Sequence, residues 1–188
     1  VIVGGGFAGL YMLYRLRRMG MRARVYEAGS DLGGTWFWNR YPGARCDVES
    51  LDYSFSFSPE LQQEWRWPDK YSLQTDILAY QNHVADRFDL RRDMQFNTRI
   101  VSQVFDETTG RWVVTTEQGE VIDAQFCIMA SGNLSTPKLP EIKGVETASN
   151  WHHSSRWPPA GVDFTSQRVG LLGTGATGGQ LAPQGAAQ

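Results

Sequence analysis

Apolar and polar residues alternate along this chain with two different periods, and the changes of period mark its elements. Residues 1–3, Val-Ile-Val, form a short apolar run of the kind that fills a buried parallel strand. After the glycine-rich stretch over 4–9, apolar positions including Leu10, Leu13 and Leu16 recur at helical spacing, which predicts an amphipathic helix over 8–19 closed by Gly20. Residues 22–26 read as the next strand, so the opening is strand–turn–helix–strand, half of a doubly wound sheet. Between residue 29 and about residue 70 periodicity gives way to Gly, Pro and aromatics, and so long an irregular stretch in a compact domain is usually functional. Helical spacing returns over 73–88. Strands are predicted over 95–105, 111–116 and 121–124, parted by Thr109-Gly110 and Gln118-Gly119, as an antiparallel meander. The apolar run 126–130 is expected as a buried strand beside 1–3 and 22–26 in a parallel sheet. Residues 134–157, with Pro137 and Pro140 inside and Pro158 just beyond, read as linker or loop. A strand over 168–172 is expected to lead into a second glycine-rich turn and to start a second domain.

Composition narrows the functional classes. The 188 residues are 41% hydrophobic and 20% charged, globular values. Eighteen Lys and Arg against 20 Asp and Glu leave a net charge of −2, which gives no field for a nucleic-acid backbone. No apolar run approaches the ~20 residues of a membrane span. Cys46 and Cys127 stand far apart without CxxC spacing, which excludes a disulfide scaffold and a zinc ribbon and fits a reducing, cytoplasmic setting. The chain starts with Val1 inside its first strand and stops within an expected helix, so it reads as an internal fragment of a longer protein.

The glycines carry the first chemistry. Gly4-Gly5-Gly6-Phe7-Ala8-Gly9 is a GxGxxG between a strand and a helix. Gly4 allows the tight turn, Gly6 admits a pyrophosphate to the backbone, and Gly9 lets helix and strand pack closely. Glu27 ends the next strand 18 residues after Gly9, near the ~20 expected of a ribose-binding acid. The bland alternatives are a plain glycine turn and a solvated strand end. Gly33-Gly34, followed by Thr35 and Trp36, predicts another close backbone approach, as a flavin dinucleotide needs, and the small residues ending 128–132 would bring the chain beneath it. Gly173-Thr174-Gly175-Ala176-Thr177-Gly178 repeats the fingerprint 169 residues later, although Gly179 and Gly185 weaken the helix that should follow. Two fingerprints suit an enzyme that passes a hydride from a nicotinamide dinucleotide to a flavin; the alternative is a decayed duplicate. In the bent loop 39–47, Arg40 or Arg45 can hold a phosphate, and Asp47 can bond a ring nitrogen or orient a cation. A surface ion pair of Asp47 with Arg45 or Arg40 is the plainer reading. His152 and His153 point to opposite sides of an extended chain and so do not share a metal; His153 is either loop packing or functional.

The stretch GGTWFWNRYPGARCDVES over 33–50, set between the two fingerprints, resembles the type I Baeyer–Villiger monooxygenases, the flavoproteins typified by phenylacetone, steroid and cyclohexanone monooxygenases. The likeness spans essentially the whole chain and is strongest toward the phenylacetone and steroid branch. The family's Phe-x-Gly-x-x-x-His-x-x-x-Trp-Pro/Asp motif is kept at His153, Trp157 and Pro158 and departs at its first two positions, where Thr147 and Ser149 stand. Flavin N- and S-monooxygenases carry Tyr-Lys in place of Trp157-Pro158 and are the second choice; a non-catalytic nucleotide-binding module is the third.

The resemblance implies an α/β fold: a doubly wound FAD-binding Rossmann-like domain with an antiparallel meander over 1–136, a linker over 137–165, and the start of an NADP-binding Rossmann domain over 166–188. It implies that NADPH reduces FAD, that a peroxyflavin forms with O2, and that a ketone becomes an ester or lactone. By the same likeness Gly4, Gly6, Ala8, Gly9 and Glu27 hold the ADP part of FAD, Thr35, Trp36, Asp47 and Tyr53 line the flavin, and Ile100 meets the adenine end. Arg45, Cys46 and Asp47 face the nicotinamide, and Gly175, Ala176, Thr177, Gly178 and Gln180 face the NADP pyrophosphate. The family's catalytic arginine is not among these 188 residues, so Asp47 is the one catalytic candidate, and the fragment by itself is not expected to turn over.

Overall fold

A computed structural model describes residues 1–148 and 150–187; Ser149, one of the two motif departures, lies outside the described residues. By contacts the chain divides into two compact units, one of Val1–Phe37 with Gln81–Ser135 and one of Trp38–Tyr80 with Thr136–Gln188.

The first unit is built on a parallel sheet. Strands β1 (Ile2–Val3), β2 (Val25–Tyr26), β3 (Met94–Gln95) and β7 (Ile128–Met129) lie in the order β3-β2-β1-β7. Helix α1 (Phe7–Arg18) follows β1 and buries Leu10 and Leu13 completely. It stops at Gly20, whose φ of +74° allows the Met21 amide to reach the Leu16 carbonyl, and Arg15, Arg17 and Arg18 complement the negative end of its dipole. The remaining strands, β4 (Ile100–Asp106), β5 (Arg111–Thr116) and β6 (Val121–Ala124), form the expected antiparallel meander, with Phe105 opposite Trp112 and Val114 opposite Ile122. Gly110 and Gly119 turn its corners in left-handed conformations that a side chain would strain.

Two expectations for this unit change. The strand predicted over 95–105 is two strands. Met94–Gln95 joins β2 in the parallel sheet, and Asn97, at φ +52°, turns the chain before β4 begins. Asn97 and Thr98 donate their amides to the carbonyls of Gly29 and Glu27, so local hydrogen bonding overrides an unbroken alternation. The apolar run 126–130 is not a buried strand. Its paired part, β7, is the edge of the sheet, and Phe126 and Met129 are exposed.

In the second unit, α3 (Pro59–Glu64) is capped by the Ser58 hydroxyl, which accepts from the Leu61 amide, and α4 (Gln74–Arg87) continues from this unit into the first. Helix α5 (Ala176–Ala186) forms despite Gly179, Gly185 and an internal Pro183. Its buried Leu181 joins Tyr41, Ala44 and Trp157 in a small core flanked by Val162 and Phe164. The segment expected as linker therefore supplies a core residue, Trp157. The strand predicted over 168–172 does not form. No strand pairs with it among the described residues, and Val169, Leu171 and Leu172 are exposed, so an extended apolar sequence has no ladder to join. Among the described residues no helix is long and apolar enough to cross a membrane.

Candidate functional site

The first glycine turn leaves no room for a side chain at Gly4 or Gly9. Gly4 has φ +107°, and a Cβ there would stand 2.5 Å from the Ala130 carbonyl oxygen. A Cβ on Gly9 would lie 1.9 Å from the Gly4 oxygen, which is the close packing of helix on strand that the fingerprint demands. Gly6 is the N-cap of α1; no side chain caps that end and its first turn holds no acid, so the positive end of the dipole is left for an anion. The second glycine pair does make a close approach, but to the first: a Cβ on Gly34 would lie 2.9 Å from the Gly6 Cα, and the Gly33 amide donates to the Gly5 carbonyl. Thr35 and the buried Trp36 begin the helical turn α2 (Thr35–Trp38) that follows this contact, so both are brought beside the fingerprint.

Glu27 is the hub of this arrangement. It is only 5% exposed. One carboxylate oxygen accepts from the Gly5 amide at 2.6 Å and the other from the Gly29 amide at 2.7 Å. Its backbone pairs with Gln95 and Thr98, which brings Ile100, the first residue of β4, into the same neighbourhood. Asp31 stiffens the next loop by accepting from the Leu32 amide and from Arg91, whose guanidinium also reaches Asp86 and Asn82. The Asp31–Arg91 link had no signal in local sequence, because its partners are 60 residues apart.

The second glycine turn repeats the backbone of the first. Gly173 has φ +110°, and a Cβ on Gly178 would lie 2.5 Å from the Gly173 oxygen. Gly175 is the N-cap of α5 and, like Gly6, has no side-chain cap and no acid in the turn that follows. A Cβ on Gly175 would meet nothing within 4 Å. Ala176 is exposed and Thr177 partly so, leaving this turn open to solvent.

The loop 39–47 belongs to the second unit, as does Tyr53, whose amide bonds the Glu49 carbonyl. Arg45 and Asp47 are exposed, and among the described residues no ion pair joins them. Cys46 between them is buried; burial pushes its thiol pKa up, while the Val48 amide donates to the sulfur. The carboxamide of Gln180 is turned onto this loop: Oε1 accepts from the Tyr41 hydroxyl at 2.8 Å and the Arg45 amide at 3.2 Å, and Nε2 donates to the Arg45 carbonyl at 3.0 Å. Tyr41 and Gly43 thus join the site without having been singled out, although Pro42-Gly43 is a turn signal. His153 Nδ1 accepts from the Ser155 amide, which leaves Nε2–H to donate to the Lys138 carbonyl at 3.3 Å; Pro158 follows the buried Trp157 and opens a turn closed by the Gly161 amide.

Comparisons with known proteins bear on what such a pair of turns serves. Residues 2–66 match the family model described as an NAD(P)-binding Rossmann-like domain. Acetone monooxygenase (methyl acetate-forming) of Gordonia sp. (strain TY-5) is 45% identical over 181 residues, 96% of this chain and 34% of its own length. A Baeyer–Villiger monooxygenase of Pseudooceanicola batsensis is 44% identical over 96% of this chain and 33% of its own length. Among solved structures, oxidised steroid monooxygenase bound to NADP superposes with a TM-score of 0.93 at 54% identity, over 100% of this chain and 36% of that one. OTEMO in complex with FAD and NADP superposes with a TM-score of 0.93 at 41% identity, over 99% of this chain and 36% of that one. The chain spans about a third of the length of the curated relatives it matches. Identities of this size run along nearly all of the chain, with both glycine turns inside the matched region, so the chain is similar throughout to about a third of these Baeyer–Villiger monooxygenases.

Proposed function

We propose that this chain is the part of an FAD- and NADPH-dependent Baeyer–Villiger monooxygenase that holds FAD at the first glycine turn and NADPH at the second, in a protein that inserts one oxygen atom of O2 beside a ketone carbonyl to give an ester or lactone. The observation that carries the reading is the pair of uncapped helix starts behind turns of matching backbone, at Gly6 and at Gly175. Each is a cradle that fits a diphosphate, because a Cβ is excluded around the first and the dipole of each helix favours an anion. Bound together, the two cofactors supply the hydride and the activation of O2.

The chain's own residues bind and orient. Gly4, Gly6, Ala8 and Gly9 offer backbone to the ADP part of FAD, and Glu27 directs its remaining lone pairs to the ribose while its other acceptor sites brace Gly5 and Gly29. Thr35, Trp36, Asp47 and Tyr53 serve the flavin, and Ile100 the adenine end. Gly175, Ala176, Thr177 and Gly178 take the NADP pyrophosphate, with Arg45, Cys46 and Asp47 toward the nicotinamide. At neutral pH Cys46 acts as a neutral thiol, since burial opposes its ionisation. The domain scheme of an FAD portion over 1–136, a connecting piece over 137–165 carrying His153, Trp157 and Pro158, and an NADP portion from 166 goes with this reading, as does a cytoplasmic site, which suits two free cysteines.

The test is product analysis with the full-length protein. It should purify yellow with flavin absorbance, oxidise NADPH, and convert ketones to esters or lactones. A colourless protein that holds no flavin contradicts the reading, and oxidation of a sulfide or amine with no turnover of any ketone assigns it to heteroatom oxidation.

A further inference from the structure

The residues that the second turn presents to a nicotinamide dinucleotide include one whose side chain is engaged elsewhere. Gln180 lies in the second turn of α5, on the helix that the second fingerprint opens. Its carboxamide meets the backbone of one residue edge to edge: it accepts the Arg45 amide, donates to the Arg45 carbonyl, and also accepts the Tyr41 hydroxyl. The other side of the same strip is satisfied by backbone, since the Gln74 amide donates to the Ala44 carbonyl and the Cys46 amide to the Ser72 carbonyl around the Arg45–Leu73 bridge. Residues 44–46 are thus held as a short strand with residues 72–74 on one side and the Gln180 side chain standing in for a strand on the other. Gly43 makes the fit possible. It has φ +78°, and a Cβ there would stand 2.7 Å from the Gln180 carbonyl oxygen. The contact is backed by the core of Tyr41, Ala44, Trp157 and Leu181.

We propose that Gln180 is a positioning residue that locks the Arg45–Asp47 loop to the helix of the second turn, so that the loop and the nicotinamide dinucleotide held there keep one register. The proposal rests on the reading that the second turn takes NADPH. It assigns Gln180 an effect on hydride delivery through the loop rather than through the cofactor's pyrophosphate. Replacing the carboxamide removes three hydrogen bonds at once and leaves the Arg45 amide and carbonyl without their partner.

The experiment uses the full-length flavoprotein with Gln180→Leu, Tyr41→Phe and the double variant. Two readouts are taken: amide hydrogen exchange of Arg45, and flavin reduction by NADPH in stopped flow, which separates the limiting rate from the half-saturating concentration. Exchange at Arg45 should accelerate by ~10-fold or more in Gln180→Leu, the loss of about one hydrogen bond's protection. The limiting rate of reduction should fall by ~10-fold in Gln180→Leu and by ~2- to 5-fold in Tyr41→Phe, and the double variant should be no slower than Gln180→Leu, since both act through one clamp. Unchanged exchange at Arg45 overturns the clamp. A limiting rate at the parental value, with only the half-saturating concentration raised, overturns the positioning role and makes Gln180 a direct ligand. If Gln180→Leu proves too unstable to study, Tyr41→Phe alone decides, because an unchanged limiting rate in that variant also overturns the proposal. A parent enzyme whose flavin NADPH does not reduce would contradict the functional reading instead, and the exchange result would still decide the clamp.

Discussion

The two glycine turns have almost the same backbone and different surroundings. Gly4 and Gly173 differ by 3° in φ, the N-caps Gly6 and Gly175 are both extended, and Gly9 and Gly178 each sit hard against the oxygen of their turn's first glycine. The first turn nevertheless leads out of a four-stranded parallel sheet and is braced by Glu27, Gly33 and Gly34, whereas an exposed, unpaired segment precedes the second. The turn is a local object that its own glycines specify. The strand before it is not, because a strand exists only where neighbours complete its hydrogen bonds.

This contrast makes substitutions at corresponding positions differ in kind. The largest effect is expected for Gly9→Ala. Its methyl would overlap backbone that cannot move without opening helix from strand, so the full-length protein should lose ~3 kcal/mol or more of stability and emerge without flavin. Thermal melting and the ratio of flavin to protein absorbance check this; a stable yellow variant would show that the turn relaxes freely. Gly178→Ala, in the less supported turn, should keep its flavin.

Next comes Glu27→Ala, which removes the acceptor for two buried amides as well as the proposed ribose contact. A charge-assisted hydrogen bond contributes ~1.5–3 kcal/mol, so FAD affinity should fall roughly tenfold to hundredfold. Equal FAD retention by variant and parent in equilibrium dialysis would return Glu27 to a purely structural part. Smaller again is Asp47→Asn. The side chain is exposed and unpaired among the described residues, so flavin content should be near parental while flavin reduction by NADPH or ketone oxygenation slows by about tenfold, the worth of ~1.4 kcal/mol. Unchanged rates of both steps in stopped flow and product assays would leave Asp47 a loop carboxylate.

Much of the first unit is legible in the sequence. The helix predicted over 8–19 appears as Phe7–Arg18, and the strands over 111–116 and 121–124 keep their bounds, because an amphipathic period and Gly-marked turns act over a few residues. What escaped depends on distant partners. The pairing of Met94–Gln95 with β2, the packing of Gly34 on Gly6, and the grip of Gln180 on Arg45 each join segments at least 28 residues apart, for which a single sequence offers no local cue. The same holds for Glu27: its place at a strand end was readable, and the two amides it braces were not.

The central claim, that the two turns serve two different dinucleotides, is tested most directly by Gly175→Ala in the full-length protein. A Cβ there meets nothing within 4 Å and φ is −73°, so the fold accepts the methyl and only a group bound against the turn would feel it. The measurement is the dependence of flavin reduction on NADPH concentration. Flavin content and melting temperature should stay parental, with the half-saturating NADPH concentration raised by ~10-fold or more, the effect of about 1.4 kcal/mol of lost binding. A half-saturating concentration equal to the parent's would contradict the claim.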